Sequence, residues 1–194
     1  YKDPQAMREI ILGGGTVNLD DYSEVPVILQ LAEEHPQNTI RIGIRVNFKI
    51  NDGVTSRFGF DTTKPEFRQL IDELKKKGNI QICGIQCHYA SRALQTWRPR
   101  AEGISRLTED TGVDSLEHID LGGGLFGKMK DSMKAQFDTP IPTYQEYAKE
   151  AAACIATHFD DKVQKPTLFI EPGTALVGDA MRFVAPVKSI KDIR

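Results

Sequence analysis

The chain has 194 residues, 40% of them hydrophobic and 27% charged, with a formal net charge of −2. That balance suits a globular domain with one sizeable core and excludes a disordered or low-complexity segment. No dense Lys/Arg block speaks for nucleic acid, no apolar run is long enough for a bilayer, and no signal peptide opens the chain, so a cytoplasmic protein is expected.

In chain order, the first strand is expected over Thr16–Leu19, followed by a helix over Tyr22–His35 that opens on acidic residues and Ser23. A second strand runs over Arg41–Phe48. The helix after it covers Lys64–Lys77, with Phe67, Leu70, Ile71 and Leu74 at helical spacing and Lys75, Lys76 and Lys77 at its solvated end. A third strand is expected over Ile80–Tyr89, a helix over Pro99–Thr111, and a fourth strand over His118–Leu121. The Ala-rich stretch Tyr144–Phe159 reads as a helix and Thr167–Ile170 as a fifth strand. Cys83, Cys87 and Cys154 are odd in number and have no metal-type spacing; the first two, inside an apolar run, read as buried thiols.

A β-α-β-α rhythm implies a parallel sheet with helical crossovers. No G-x-G-x-x-G fingerprint opens the first unit, which argues against a dinucleotide fold. Glycine-rich and polar positions instead follow several different strands, as in a (β/α)8 barrel, whose chemistry gathers at the C-terminal strand ends. About five units fit here against eight in a closed barrel. The expected fold class is therefore α/β, an incomplete (β/α)8 TIM-type barrel. Residues 1–182 form the partial barrel domain, and 183–194 begin a strand leading toward a further, β-rich domain.

Four clusters stand at strand ends. In the first, His88 closes a strand and Ser91 follows three residues on, placing an imidazole to stack on a flat ligand and a hydroxyl to hold a phosphate oxygen. The bland alternative is a satisfied core or surface histidine. In the second, Gly122, Gly123 and Gly124 follow a strand and leave backbone N–H groups open to an anion; a flexible turn is the alternative. In the third, Glu171 leaves the apolar run Thr167–Ile170, where a carboxylate is costly to bury without a partner such as a protonated pyridine nitrogen. Pro172 and Gly173 then force a turn that aims amides inward. In the fourth, Arg45 interrupts a strand built for burial and should meet an anion, a hydroxyl or a structural ion-pair partner.

Taken in order, Arg45-Val46-Asn47, Ser56-Arg57-Phe58-Gly59, His88-Tyr89-Ala90-Ser91, Asp120-Leu121-Gly122-Gly123-Gly124 and Glu171-Pro172-Gly173 resemble the pyridoxal 5'-phosphate (PLP)-dependent decarboxylases of the alanine-racemase-like fold. Diaminopimelate, ornithine and arginine decarboxylases are the members most similar. The resemblance implies an amino-acid decarboxylase with PLP as cofactor, a small amino acid as partner and a homodimer in full-length form, with no nucleic acid, membrane or metal involved. It also implies roles: His88 stacks on the cofactor ring; Ser91, Gly123, Gly124 and the amides of Gly173 and Thr174 bind the phosphate; Glu171 keeps the pyridine nitrogen protonated; Arg45 lies on the hydroxyl side. Glu171 and His88 are the catalytic candidates.

Two departures accompany the match. Thr174 stands where these families carry arginine, which leaves the substrate open between diaminopimelate and another basic or modified amino acid. No lysine sits where the Schiff-base lysine of the first barrel strand belongs, Lys49 being the nearest by environment, so the stretch by itself is expected to be inactive. The alternatives are a non-catalytic regulatory relative, an amino-acid racemase (disfavoured by an acid at Glu171) and a barrel that binds a sugar phosphate.

Overall fold

The computed structural model describes residues 2–50, 52–53, 56–113, 115–178, 180, 182 and 184–191. Helix α1 (Pro4–Leu12) starts where the Asp3 side chain accepts from the Ala6 amide (2.9 Å) and Pro4 sits in the first turn. Those are helix-start signals that the strand-led reading passed over. Strand β1 (Val17–Leu19) leads through a short 3-10 turn to α2 (Val25–Glu34), and β2 (Ile40–Asn47) to the two-residue β3 (Phe60–Asp61). Helix α3 (Pro65–Lys76) precedes β4 (Ile80–His88), and α4 (Trp97–Thr111) precedes β5 (His118–Gly122).

Helix α4 begins two residues earlier than expected because proline is tolerated in a first helical turn, and it stops at Gly112 in the left-handed conformation (φ 61°). A short helix α5 (Asp131–Lys134) follows. The stretch expected as one helix over Tyr144–Phe159 is two, α6 (Tyr144–Glu150) and α7 (Ala152–His158), broken at Ala151 (φ −103°, ψ −64°). A capping box opens the first, Thr143 and Glu146 exchanging hydrogen bonds. Strand β6 (Thr167–Ile170) and the single-turn α8 (Thr174–Val177) complete the order.

All strand pairings are parallel, in the order β1-β2-β4-β5-β6, with β3 beside the end of β2. Among the described residues β1 and β6 are the two edges of the sheet and do not pair with each other, so the sheet is an open α/β arc of the TIM-barrel type. Of the run Phe183–Ile190, expected as a strand, Phe183 lies outside the described residues and Val184–Ile190 carries no strand and is exposed; a strand needs a ladder partner, and this run has none among the described residues.

Register decides what the two faces contain. Ile42, Ile44 and Val46 of β2, Ile85 and Cys87 of β4, and Ile119 and Leu121 of β5 are buried beneath the helices. The alternate positions Arg45, Gln86 and Asp120 form one row across the other face, with His88 and Gly122 one step nearer the C-terminal ends. Cys83 and Cys87 are buried free thiols, as expected, and burial pushes the Cys87 thiol up to about 12.

Candidate functional site

The C-terminal ends of β4, β5 and β6 bring three of the four clusters together. Glu171 follows β6 directly, and its side chain lies back across the rim. His88 Nδ1 stands 2.5 Å from Glu171 Oε2, and Gln86 Nε2 donates to Glu171 Oε1 at 3.0 Å. A Cβ on Gly122 would lie 2.6 Å from the same Oε2, so this position must be glycine for the acid and the imidazole to meet over it. The Gly124 amide donates to the Glu171 carbonyl (3.1 Å) and the Leu125 amide to the Pro172 carbonyl (3.0 Å), stitching the glycine bend to the turn after β6. Gly123, Gly124 and Gly173 all take positive φ (132°, 72° and 57°), which other residues seldom adopt. Their backbones touch: a Cβ on Gly173 would sit 3.6 Å from the Gly124 Cα. Thr174 is exposed at the start of α8.

Electrostatics separate the two acids of this rim. Burial works against the charge of Glu171, but hydrogen bonds from Gln86 and His88 outweigh it and hold the carboxyl below its usual range. Asp120, in the row beneath, is pushed up to about 7, first by burial and then by the neighbouring Glu171 charge, with Arg45 pulling the other way. The environment thus favours the charged form of one carboxylate and the protonated form of its neighbour. The Oδ1 of Asp120 and the Oε1 of Gln86 are buried and lack a hydrogen-bond partner among the described residues.

Arg45 pairs with Asp20 just past β1 (3.3 Å) and stacks on Phe58, its guanidinium carbon 5.0 Å from the ring centre. The structural ion pair open to it from sequence is thus formed. With Ser56, Arg57, Phe58, His88 and Tyr89 it lines a cleft of about 450 Å³ that opens beside the rim. The Ser91 hydroxyl accepts from the Ala93 amide (3.2 Å), and its carbonyl accepts from Arg100. Lys49 is exposed and lines a different cleft with Thr62 and Arg68, away from Glu171.

Three residues of the rim were missed in the sequence. Gln86 was legible, because strand alternation puts it on the same face as His88 two residues on. Asp120 stood inside a quoted motif, but its role depends on Glu171, fifty-one residues later in number and adjacent only through the β5–β6 pairing. Arg100 gave no signal, lying on a helix whose burial is settled by packing.

Fold and rim together define an α/β protein of the TIM-barrel type whose polar groups gather at the C-terminal ends of its strands. Comparison with known proteins makes this specific. The model of the pyridoxal-dependent decarboxylase family, pyridoxal binding domain, matches residues 1–178, and the chain belongs to that family. Among curated relatives, the diaminopimelate decarboxylase of Methanocaldococcus jannaschii is 26% identical over 190 residues, 90% of this chain and 41% of the relative. That of Bacillus subtilis is 27% identical over 195 residues, covering 92% and 43%. The chain therefore spans less than half the length of these relatives.

Solved structures agree on the fold. The diaminopimelate decarboxylase of M. jannaschii superposes with a TM-score of 0.69 at 23% identity, covering 91% of this chain and 42% of that one. The Helicobacter pylori enzyme, solved with L-lysine, gives 0.68 at 16% identity, covering 91% and 44%. No described helix is long and apolar enough to cross a membrane.

Proposed function

We propose that this chain provides the PLP-binding rim of an amino-acid decarboxylase acting on a basic or modified amino acid, diaminopimelate-like in class. The observation that carries the reading is Glu171: a carboxylate kept charged at a strand end, beside a bend of three glycines stitched to its own backbone. The residues present fit the group. A pyridinium nitrogen is the kind of donor that a charged acid at the end of an apolar strand calls for. The positive-φ glycines form a bend without side chains, the kind of backbone that lets a phosphate approach closely.

In this reading Glu171 holds the proton on the ring nitrogen, and Gln86 fixes the acid from its far oxygen. His88, already in contact with the acid, flanks the ring. Gly123, Gly124, Gly173, Thr174 and Ser91 take the phosphate, and Arg45 lies toward the ring hydroxyl. When bound, PLP supplies an electron sink for the pair left behind as carbon dioxide departs. The substrate class follows from the relatives' names and from the neighbour solved with L-lysine. The same reading carries a cytoplasmic setting, a homodimer, and a further β-rich domain beyond residue 183.

The test uses PLP labelled with nitrogen-15 in the ring and added to the chain. With Glu171 in place, the ring nitrogen stays protonated at pH 8. In Glu171→Gln it loses the proton, while PLP affinity changes by less than about tenfold, because one hydrogen bond among many is altered. An identical protonation state in both proteins would sink the assignment.

A further inference from the structure

Arg100 on α4 is fully buried, at 0% exposure. Taking a guanidinium out of water is costly unless its donors are used. Its Nη1 donates to the Gly122 carbonyl (2.8 Å), and its Nη2 to the Ser91 carbonyl (2.5 Å) and the Thr96 hydroxyl (2.9 Å), while its Nε has no hydrogen-bond partner among the described residues. Its flat face lies 4.4 Å from the centre of the Trp97 ring, which fixes the plane of the fork. Neither carbonyl belongs to its own helix. One lies at the end of β5 and one in the loop after β4, the two segments that carry the glycine bend and Ser91.

We propose that Arg100 is a positioning residue that aims the backbone amides of both segments at a phosphate monoester; this deepens, and rests on, the PLP reading above. A trans peptide is planar, so its C=O and the following N–H point in opposite directions. Drawing the Gly122 carbonyl toward Arg100 turns the Gly123 N–H away from the helix layer. Drawing the Ser91 carbonyl does the same for the Arg92 N–H. One planar side chain thereby orients two donors from two loops, a task that requires a fork and that an ammonium cannot perform in the same geometry.

Two further observations fit this role. A Cβ at Gly123 would collide with Arg100 Nη1 and with the Tyr89 carbonyl, so the glycine there admits the clamp as well as the ligand. The next carbonyl, that of Arg92, is itself held by the Tyr147 hydroxyl at 2.6 Å, so the turn after Ser91 is pinned at consecutive peptides. Such fixed amides act without reorganising when an anion arrives.

Equilibrium dialysis of the chain with PLP and with pyridoxal, which lacks the phosphate, tests the proposal. The unaltered chain prefers PLP. In Arg100→Lys and Arg100→Met that preference falls by about tenfold or more, the effect of misdirecting charge-assisted bonds, while pyridoxal affinity stays within about threefold. A general packing defect would weaken both ligands alike. If the unaltered chain bound neither ligand, the PLP reading itself would fail. If it preferred PLP and Arg100→Lys kept that preference, only the positioning role would fail. Should the variants not fold, the unaltered chain still decides: the amide resonances of Gly123 and Arg92 shift with PLP and with inorganic phosphate but not with pyridoxal, and immobility of both overturns the proposal.

Discussion

The two faces of the same strands are built by different rules. Toward the helices, β2, β4 and β5 present Ile42, Ile44, Val46, Ile85, Cys87, Ile119 and Leu121, all buried and all apolar. On the opposite face the same strands present Arg45, Gln86, His88 and Asp120, interleaved with Gly43, Gly84 and Gly122. The glycines here are spaces rather than hinges. A Cβ on Gly43 would collide with Asn18, one on Gly84 with His118, and one on Gly122 with His88 and Glu171. Each vacancy on one strand is filled by a polar side chain from a neighbouring strand. The helix-facing side thus stabilises by area removed from water, which tolerates rearrangement, whereas the polar side depends on particular pairs of atoms.

Three comparisons test this contrast. The largest effect belongs to the apolar face: Ile44→Ala, at a site 1% exposed, should cost about 2–5 kcal/mol in urea unfolding through lost burial and a residual cavity. A loss well under 1 kcal/mol would mean that this face is not the main source of stability. Next, Gly84→Ala should cost about 1–3 kcal/mol by overpacking against the His118 ring. Because the cost arises from that one contact, His118→Ala in the same chain should relieve most of it; additive losses would contradict the complementary packing.

The smallest effect is the most diagnostic. The Asp120 carboxyl is raised from 3.8 to about 7, so its contribution to stability is complete below pH 4 and is lost as pH rises through 7. Glu171, held low, works in the opposite sense: its contribution is present above its ordinary value and is lost as the pH falls through its lowered one. Asp120→Asn removes the first dependence and touches the second only through the Asp120 contact that helps hold Glu171 low. It should be more stable than the parent at pH 8 by about 1–2 kcal/mol, after allowing for the solvent that reaches this half-buried group, with the gain vanishing toward pH 4. Urea midpoints across that range would expose a parallel pair of curves if Asp120 were ionised throughout.

How much could be read in advance differs between the faces in the same way. Alternation of β-branched residues located five strands to within one or two residues, since period two is a local property. The break at Ala151 was missed because an Ala-rich stretch favours helix throughout and contains no glycine or proline to mark a boundary. β3 was missed because two residues carry no period, and their pairing with Val46 and Asn47 is set by the sheet. Within the site, Glu171 and the glycine bend were legible as a charge and a glycine run in places where apolar strands end, but not that the Gly124 amide is spent on the Glu171 carbonyl. Arg45 was legible as a misfit, but not its choice of Asp20.

The sequence by itself determined the alternation of strands and helices, the apolar side of each strand, and the cluster of glycines and charged groups at the strand ends. These follow from periodicity, since burial of apolar area is non-directional and needs only the right residues on the right side. Tertiary structure alone decided that His88 and Gln86 share Glu171, that the Asp120 carboxyl beside it is shifted upward, and that Arg100 reaches two loops from behind. Those outcomes depend on inter-strand register and on where a helix rests against the sheet. A hydrogen bond exists only when donor and acceptor come within about 3 Å in the right direction, and no local pattern of residues encodes that distance.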